Sequence, residues 1–163
     1  MSLLSNLTRA QKVYNDLCAI LEENDWKFSK DDDALTIHFT ATGEDIPMDF
    51  VLKTDPGRQL LSLYSKMPFT APESQKDDMA VACCVAGNGL WDGSFDFDAE
   101  SGEIMYRMTA SFIGSDIGKG LFRYMIGMAG KVVDRYNDKL LAVCNGSMSL
   151  NDFIREENEN KDS

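Results

Sequence analysis

Residues 90–112, LWDGSFDFDAESGEIMYRMTASF, read as two strands joined by a short polar tip. Trp91, Gly93, Phe95 and Phe97 alternate with Asp92, Ser94, Asp96 and Asp98. Ile104, Tyr106, Met108, Ala110 and Phe112 alternate with Met105, Arg107, Thr109 and Ser111. A period of two gives each strand one apolar and one polar face. Pairing Phe97 with Ile104 across the tip 99–102 sets Ser94 opposite Arg107, with Asp92 and Asp96 diagonal to it. The arginine then forms ion pairs within the outward face, each worth less than about 1 kcal/mol. Asp96, Asp98 and Glu100 imitate the start of a calcium loop, but the sixth position is Ser101 where that loop needs glycine, and the twelfth is Arg107 where it needs glutamate. The segment is a hairpin with a glycine at its tip.

A hairpin of this kind needs a larger sheet and covering helices to bury its apolar face. Upstream, a first helix is expected from Ser5 or Asn6 to Asn24, with Val13, Leu17, Ile20 and Leu21 as its apolar stripe, widened by Tyr14 and Cys18. Four strands follow as a meander at 26–29, 35–40, 46–53 and 59–66, separated by DDD, ATGE and DPG. The segment 67–73, with two prolines, reads as a loop. A second helix from near Ser74 ends at Gly87, and has no side chain larger than valine between Ala80 and Gly89, so its axis can approach a neighbour closely. After the hairpin, Ser115 or Asp116 caps a third helix reaching about Val143. Its apolar arc is Leu121, Met125, Ala129, Val132, Val133, Tyr136, Leu140 and Val143, while Gly120, Gly127 and Gly130 fall on the polar side among Arg123, Lys131, Asp134 and Asp138. Interior glycines cost about 1 kcal/mol each relative to alanine, so either the helix bends there or something packs closely.

The fold class is therefore α+β: a single domain over residues 1–146, with an antiparallel sheet of about six strands and helices packed on it, in the order α-ββββ-α-ββ-α. Residues 147–163 offer one short amphipathic turn through Leu150, Phe153 and Ile154 before an acidic, polar tail that reads as disordered. A length of 163 residues suits one domain with a core that needs no disulfide or metal.

Chemistry is sparse. The net charge of −11 opposes binding to nucleic acid or to a membrane surface. The N-terminal MSLLSNLTRAQKVYND has no basic segment leading into an apolar run, and no stretch approaches the length of a spanning helix, so a cytoplasmic location is expected. Cys18, Cys83, Cys84 and Cys144 have no metal-ligand spacing, and the pair Cys83–Cys84 reads as small packed hydrophobes. His38 is the sole histidine and points outward by alternation, beside Thr36 and Thr40. The DDD at 31–33 and Asp77–Asp78 suit a tight turn and a helix first turn. GNGLWDG runs from helix into strand, the reverse of a phosphate loop. No catalytic residue, cofactor or metal is expected.

Four segments carry a family resemblance: RQLLSLYSKMPF at 58–69, GLWDGSFDFD at 89–98, YRMTASF at 106–112 and VVDRYND at 132–138. With the element order, these resemble the YbjN-like domain, described as bacterial sensory transduction regulators, whose fold is similar to the type III secretion chaperones. The resemblance implies a non-enzymatic module that binds another protein, regulator or chaperone-like, acting as a homodimer. It implies an interface on the middle helix and the hairpin, at Met79, Cys83, Met105, Arg107 and Thr109. The strand at 59–66 departs from the three that those chaperones carry before their middle helix. The alternative is a small-molecule sensor, with Trp26, Phe28, Trp91 and Tyr106 lining a pocket between sheet and helices.

Overall fold

The computed structural model describes residues 3–159. A first helix, α1 (Leu3–Glu23), leads into β1 (Phe28–Asp31), β2 (Thr36–Ala41), β3 (Met48–Asp55) and β4 (Leu60–Thr70). Then come α2 (Lys76–Gly87), the hairpin strands β5 (Ser94–Phe97) and β6 (Glu103–Ser111), α3 (Lys119–Cys144) and α4 (Leu150–Glu159). The six strands form one antiparallel sheet in the order β1-β2-β3-β4-β6-β5. This is the expected α+β class, with the last helix added.

Strand alternation is carried out as the sequence dictates. Ile37, Phe39, Met48, Phe50, Leu52, Leu61, Leu63, Ile104, Tyr106 and Met108 are buried on one face, where α1 packs on β3, α3 on β3, β4 and β6, and α2 beside β5. From α1 come Val13, Tyr14, Leu17, Ile20 and Leu21, and from α3 Phe122, Met125, Ala129, Val133, Tyr136 and Leu140. Phe95 joins the layers, 5.4 Å from both the Tyr106 and the Tyr136 ring. The narrow α2 uses its small side chains as expected, burying Met79, Ala82, Cys83 and Ala86 against β5, α3 and α4.

Several expectations are corrected. The segment 67–70 is strand, because β4 continues past Lys66 through an irregularity that accommodates Pro68 at an exposed position. The third helix begins at Lys119, since Gly114 at φ 65° turns the chain and Ile117 is buried, holding the segment as a packed loop. Leu121 is exposed and its neighbour Phe122 takes the core position. The helix runs without interruption, and a Cβ at Gly120, Gly127 or Gly130 would meet nothing within 4 Å. Among the described residues, no part of the chain packs closely on those glycines. Cys84 is exposed, so only Cys83 of the pair is a packed hydrophobe.

The hairpin pairs in the expected register, Phe97 with Ile104 and Ser94 with Arg107. Its alternation stops at Gly93. That residue has φ 79°, and a Cβ there would collide with the Tyr106 ring and hydroxyl. The Tyr106 hydroxyl donates to the Asp92 carbonyl at 3.0 Å. The reversal throws Trp91 outward, 99% exposed, instead of onto the inner face. At the tip, Asp98 Oδ1 accepts the amides of Glu100 and Ser101 at 2.8 and 3.1 Å, which holds that carboxyl below the usual carboxylate range.

Residues 150–159, read from their polarity as a turn and tail, form α4. Ser149 and Asp152 make a reciprocal cap: the Ser149 hydroxyl donates to Asp152 Oδ2 at 2.6 Å and accepts the Asp152 amide at 3.1 Å. Phe153 is fully buried, and Glu157, 2% exposed, accepts from the Tyr136 hydroxyl at 2.7 Å and the Lys139 ammonium at 2.9 Å. Residues 160–163 lie outside the described residues.

Candidate functional site

Two surfaces remain once the core is assigned. The first is the helix-free face of the sheet. Cross-strand pairing lays one row over all six strands there: Ser29, His38, Val51, Tyr64, Arg107 and Ser94. Val51, Tyr64 and Met105 are half-buried by their neighbours alone, and Thr109 and Lys53 flank Ser62 in the next row. Arg107 binds Asp96 through Nε at 2.6 Å and Nη2 at 3.1 Å, which raises the arginine further above its usual range. Lys66 pairs with Glu103. Asp49 accepts the Thr40 hydroxyl at 2.6 Å. Carboxylates on the centre of this face thus have partners, while the chain as a whole is strongly acidic.

The five residues expected at an interface divide accordingly. Met105, Arg107 and Thr109 share this outer face of β6. Met79 and Cys83 do not join them: they are 0% and 3% exposed inside the chain's own core. Burial pushes the Cys83 thiol up to about 12.

The second surface is a groove of about 880 Å³ between the end of α1, the β2–β3 loop and α3. Its construction begins at the end of α1. Asp25 adopts φ 55°, its amide donates to the Glu22 carbonyl at 3.1 Å, and the Trp26 amide reaches back to the Leu21 carbonyl at 3.0 Å. This is a Schellman stop with aspartate in the place of the usual glycine, and it brings Trp26 beside Leu21. The indole meets Phe39 edge-on at 5.1 Å and is left 38% exposed. Across from it the β2–β3 loop is fixed by Asp134, whose Oδ1 accepts the Glu44 amide at 2.9 Å. Gly43 permits that approach, since a Cβ there would overlap the Asp134 carboxylate. The remaining wall is the glycine side of α3, with Arg123, Ile126, Gly127, Gly130 and Lys131.

The four aromatics expected around one pocket are not brought together. Trp26 lines the groove, Phe28 packs against the core, Tyr106 is buried beside Phe95, and Trp91 stands in solvent. The groove was legible only through the glycines of α3, whose open side the sequence exposed without showing what stands opposite. His38 sits in the outer row with no catalytic partner beside it, between Ser29 and Val51. Among the described residues, no three His, Cys, Asp or Glu side chains gather to hold a metal ion, and no helix is long and apolar enough to cross a membrane.

No curated protein matches the chain. The solved crystal structure of YbjN, described as "a putative transcription regulator from E. coli", is similar in fold, with a TM-score of 0.56 at 10% sequence identity, over 77% of this chain and 92% of that one. A family model covers residues 14–142, from the middle of α1 almost to the end of α3, and its description reads "Putative bacterial sensory transduction regulator". By that match the chain belongs to the YbjN family.

Proposed function

We propose that the chain is a non-enzymatic regulatory module of the bacterial cytoplasm that binds another protein, in the first instance a second copy of itself, on the helix-free face of its sheet. The observation that carries this reading is the outer face of β3, β4 and β6, where Val51 and Tyr64 share a row with Arg107, Met105 stands beside Lys66 in the next, and Val51, Tyr64 and Met105 lie half-buried on the face away from the helices. Chains of net charge −11 repel one another, and they do so least where Arg107 and Lys66 neutralise Asp96 and Glu103. Thr109, Arg107 and Met105 lie in the contact. Family membership supports a regulatory role. Light scattering after gel filtration tests it: the native chain runs as a dimer at micromolar concentration, and Tyr64→Glu with Met105→Glu yields a folded monomer. A native chain that is monomeric throughout removes self-association.

A second reading, a small-molecule sensor, is favoured by one specific observation. The groove beside Trp26 falls within the roughly 300–1,000 Å³ typical of small-ligand sites. A ligand that binds only the folded state raises the melting temperature, so a thermal-shift series with metabolites separates this reading from the first.

A further inference from the structure

Most cations of this acidic chain are engaged. Lys12, Lys30, Arg58, Lys66, Lys76, Arg107, Lys119, Arg135, Lys139 and Arg155 each hold a carboxylate, and Arg9 donates to Gln59. Among the described residues, those left without a partner are Lys27, Lys53, Arg123 and Lys131. Three of them, Lys27, Arg123 and Lys131, line the groove beside Trp26. A chain with more acids than bases does not leave its free cations together by default. Mutual repulsion opposes the cluster, and nearby carboxylates are plentiful.

The carboxylates of the groove do not cancel this charge by pairing. Among the described residues neither Asp134, whose Oδ1 accepts the Glu44 amide, nor Asp25 forms an ion pair with a cation of the groove. The wall between the cations is bare. Gly127 and Gly130, three residues apart on one side of α3, each leave open space where a side chain would stand. Nothing in the chain's own packing requires glycine at either position, whereas a flat molecule lying against the helix does. Ile126, Leu21 and Met48 supply apolar lining, and Trp26 an indole surface.

We infer that this groove takes a small organic anion. Its flat apolar body lies along the Gly127–Gly130 strip beside Trp26, and its anionic group is held by Arg123, Lys131 and Lys27. The inference rests on the sensor reading and adds the ligand's chemical class. Guanidinium and ammonium groups recognise carboxylate, sulfonate or phosphate alike, so the class is defined by charge and shape.

The test uses two dyes with the same ring systems, 8-anilinonaphthalene-1-sulfonate and the neutral N-phenyl-1-naphthylamine. They are titrated into the full chain carrying Trp91→Phe, which leaves Trp26 as the only tryptophan. Energy transfer from Trp26 reports dye bound to the chain, and its loss in a variant that fills the groove places the dye there. The sulfonate saturates one site with a Kd at least about tenfold below that of the neutral dye. Arg123→Gln and Lys131→Gln each weaken the sulfonate and leave the neutral dye unchanged, and Gly127→Leu blocks both dyes while the melting temperature is maintained. Equal affinities that ignore the charge substitutions overturn the anion assignment and leave a neutral-ligand sensor standing. Absence of Trp26 transfer to either dye removes the sensor reading with it.

Discussion

Arg107 grips Asp96 across the β5–β6 ribbon with two near-parallel hydrogen bonds, Nε to Oδ2 at 2.6 Å and Nη2 to Oδ1 at 3.1 Å. The two residues are diagonal neighbours, one step from the directly opposed pair Ser94 and Arg107. Fork geometry of this kind fixes direction as well as charge. It orients the guanidinium along the outer face of the sheet beside Tyr64.

Both partners are partly exposed, so the bridge contributes little to folding. Asp96→Asn lowers unfolding free energy by less than about 1 kcal/mol in urea titrations. If the face is the self-association surface, the same substitution has a larger effect on the dimer dissociation constant, because it frees a cation at the centre of the contact. A stability loss that exceeds the change in association contradicts that placement.

A second expectation concerns α4 and its one buried carboxylate. Burial opposes ionisation of Glu157, but hydrogen bonds from Lys139 and Tyr136, with the charges of Lys139 and Arg135, outweigh it and hold the carboxyl below the usual glutamate range. A carboxyl depressed in the folded state stabilises above its unfolded value of about 4.5 and loses that contribution as pH falls through the lower folded value. Glu157→Gln therefore costs about 2 kcal/mol at pH 7, and the gap between the two proteins closes as pH falls below about 4. Urea midpoints measured from pH 7 down to 3 check this, and a gap independent of pH contradicts it.

The turn at Gly93 supplies a third. With φ at 79° and the Tyr106 hydroxyl and ring where a Cβ would stand, Gly93→Ala combines backbone strain with a collision and destabilises by about 2 kcal/mol or more. Trp91→Ala, two residues away, leaves stability within about 0.5 kcal/mol, since the ring contacts solvent. Thermal melts of the two variants separate these outcomes cleanly, and a large loss from Trp91→Ala returns that ring to the core.

The contrast between those two residues explains how much of the fold was legible. The register of the hairpin was readable because alternation and a tip glycine are local properties, and Phe97 pairs with Ile104 as the pattern requires. Trp91 was misplaced because alternation was carried through Gly93, where positive φ resets the faces. In α4 the apolar turn of Leu150, Phe153 and Ile154 was legible, but the segment continues as a helix because Ser149 and Asp152 cap it and Glu157 is buried against Tyr136 and Lys139 of α3. The groove was least legible of all. Lys27, Arg123 and Lys131 are ordinary surface residues in one dimension, and only the packing of α1 against α3 makes them neighbours.

The last expectation separates adjacent thiols. Cys83 is buried in the core, and burial pushes its thiol up to about 12. Cys18 and Cys144 are also buried, and burial raises both. Cys84, about 100° further round α2, is exposed to solvent. Because the thiolate is the reacting species, an aromatic disulfide reagent added to the native chain modifies Cys84 in one fast phase, and the other three thiols react only as the chain opens. Cys84→Ser abolishes the fast phase and Cys83→Ser leaves it intact. A fast phase that survives Cys84→Ser means that α2 presents Cys83 outward, the orientation in which that cysteine and Met79 reach a partner.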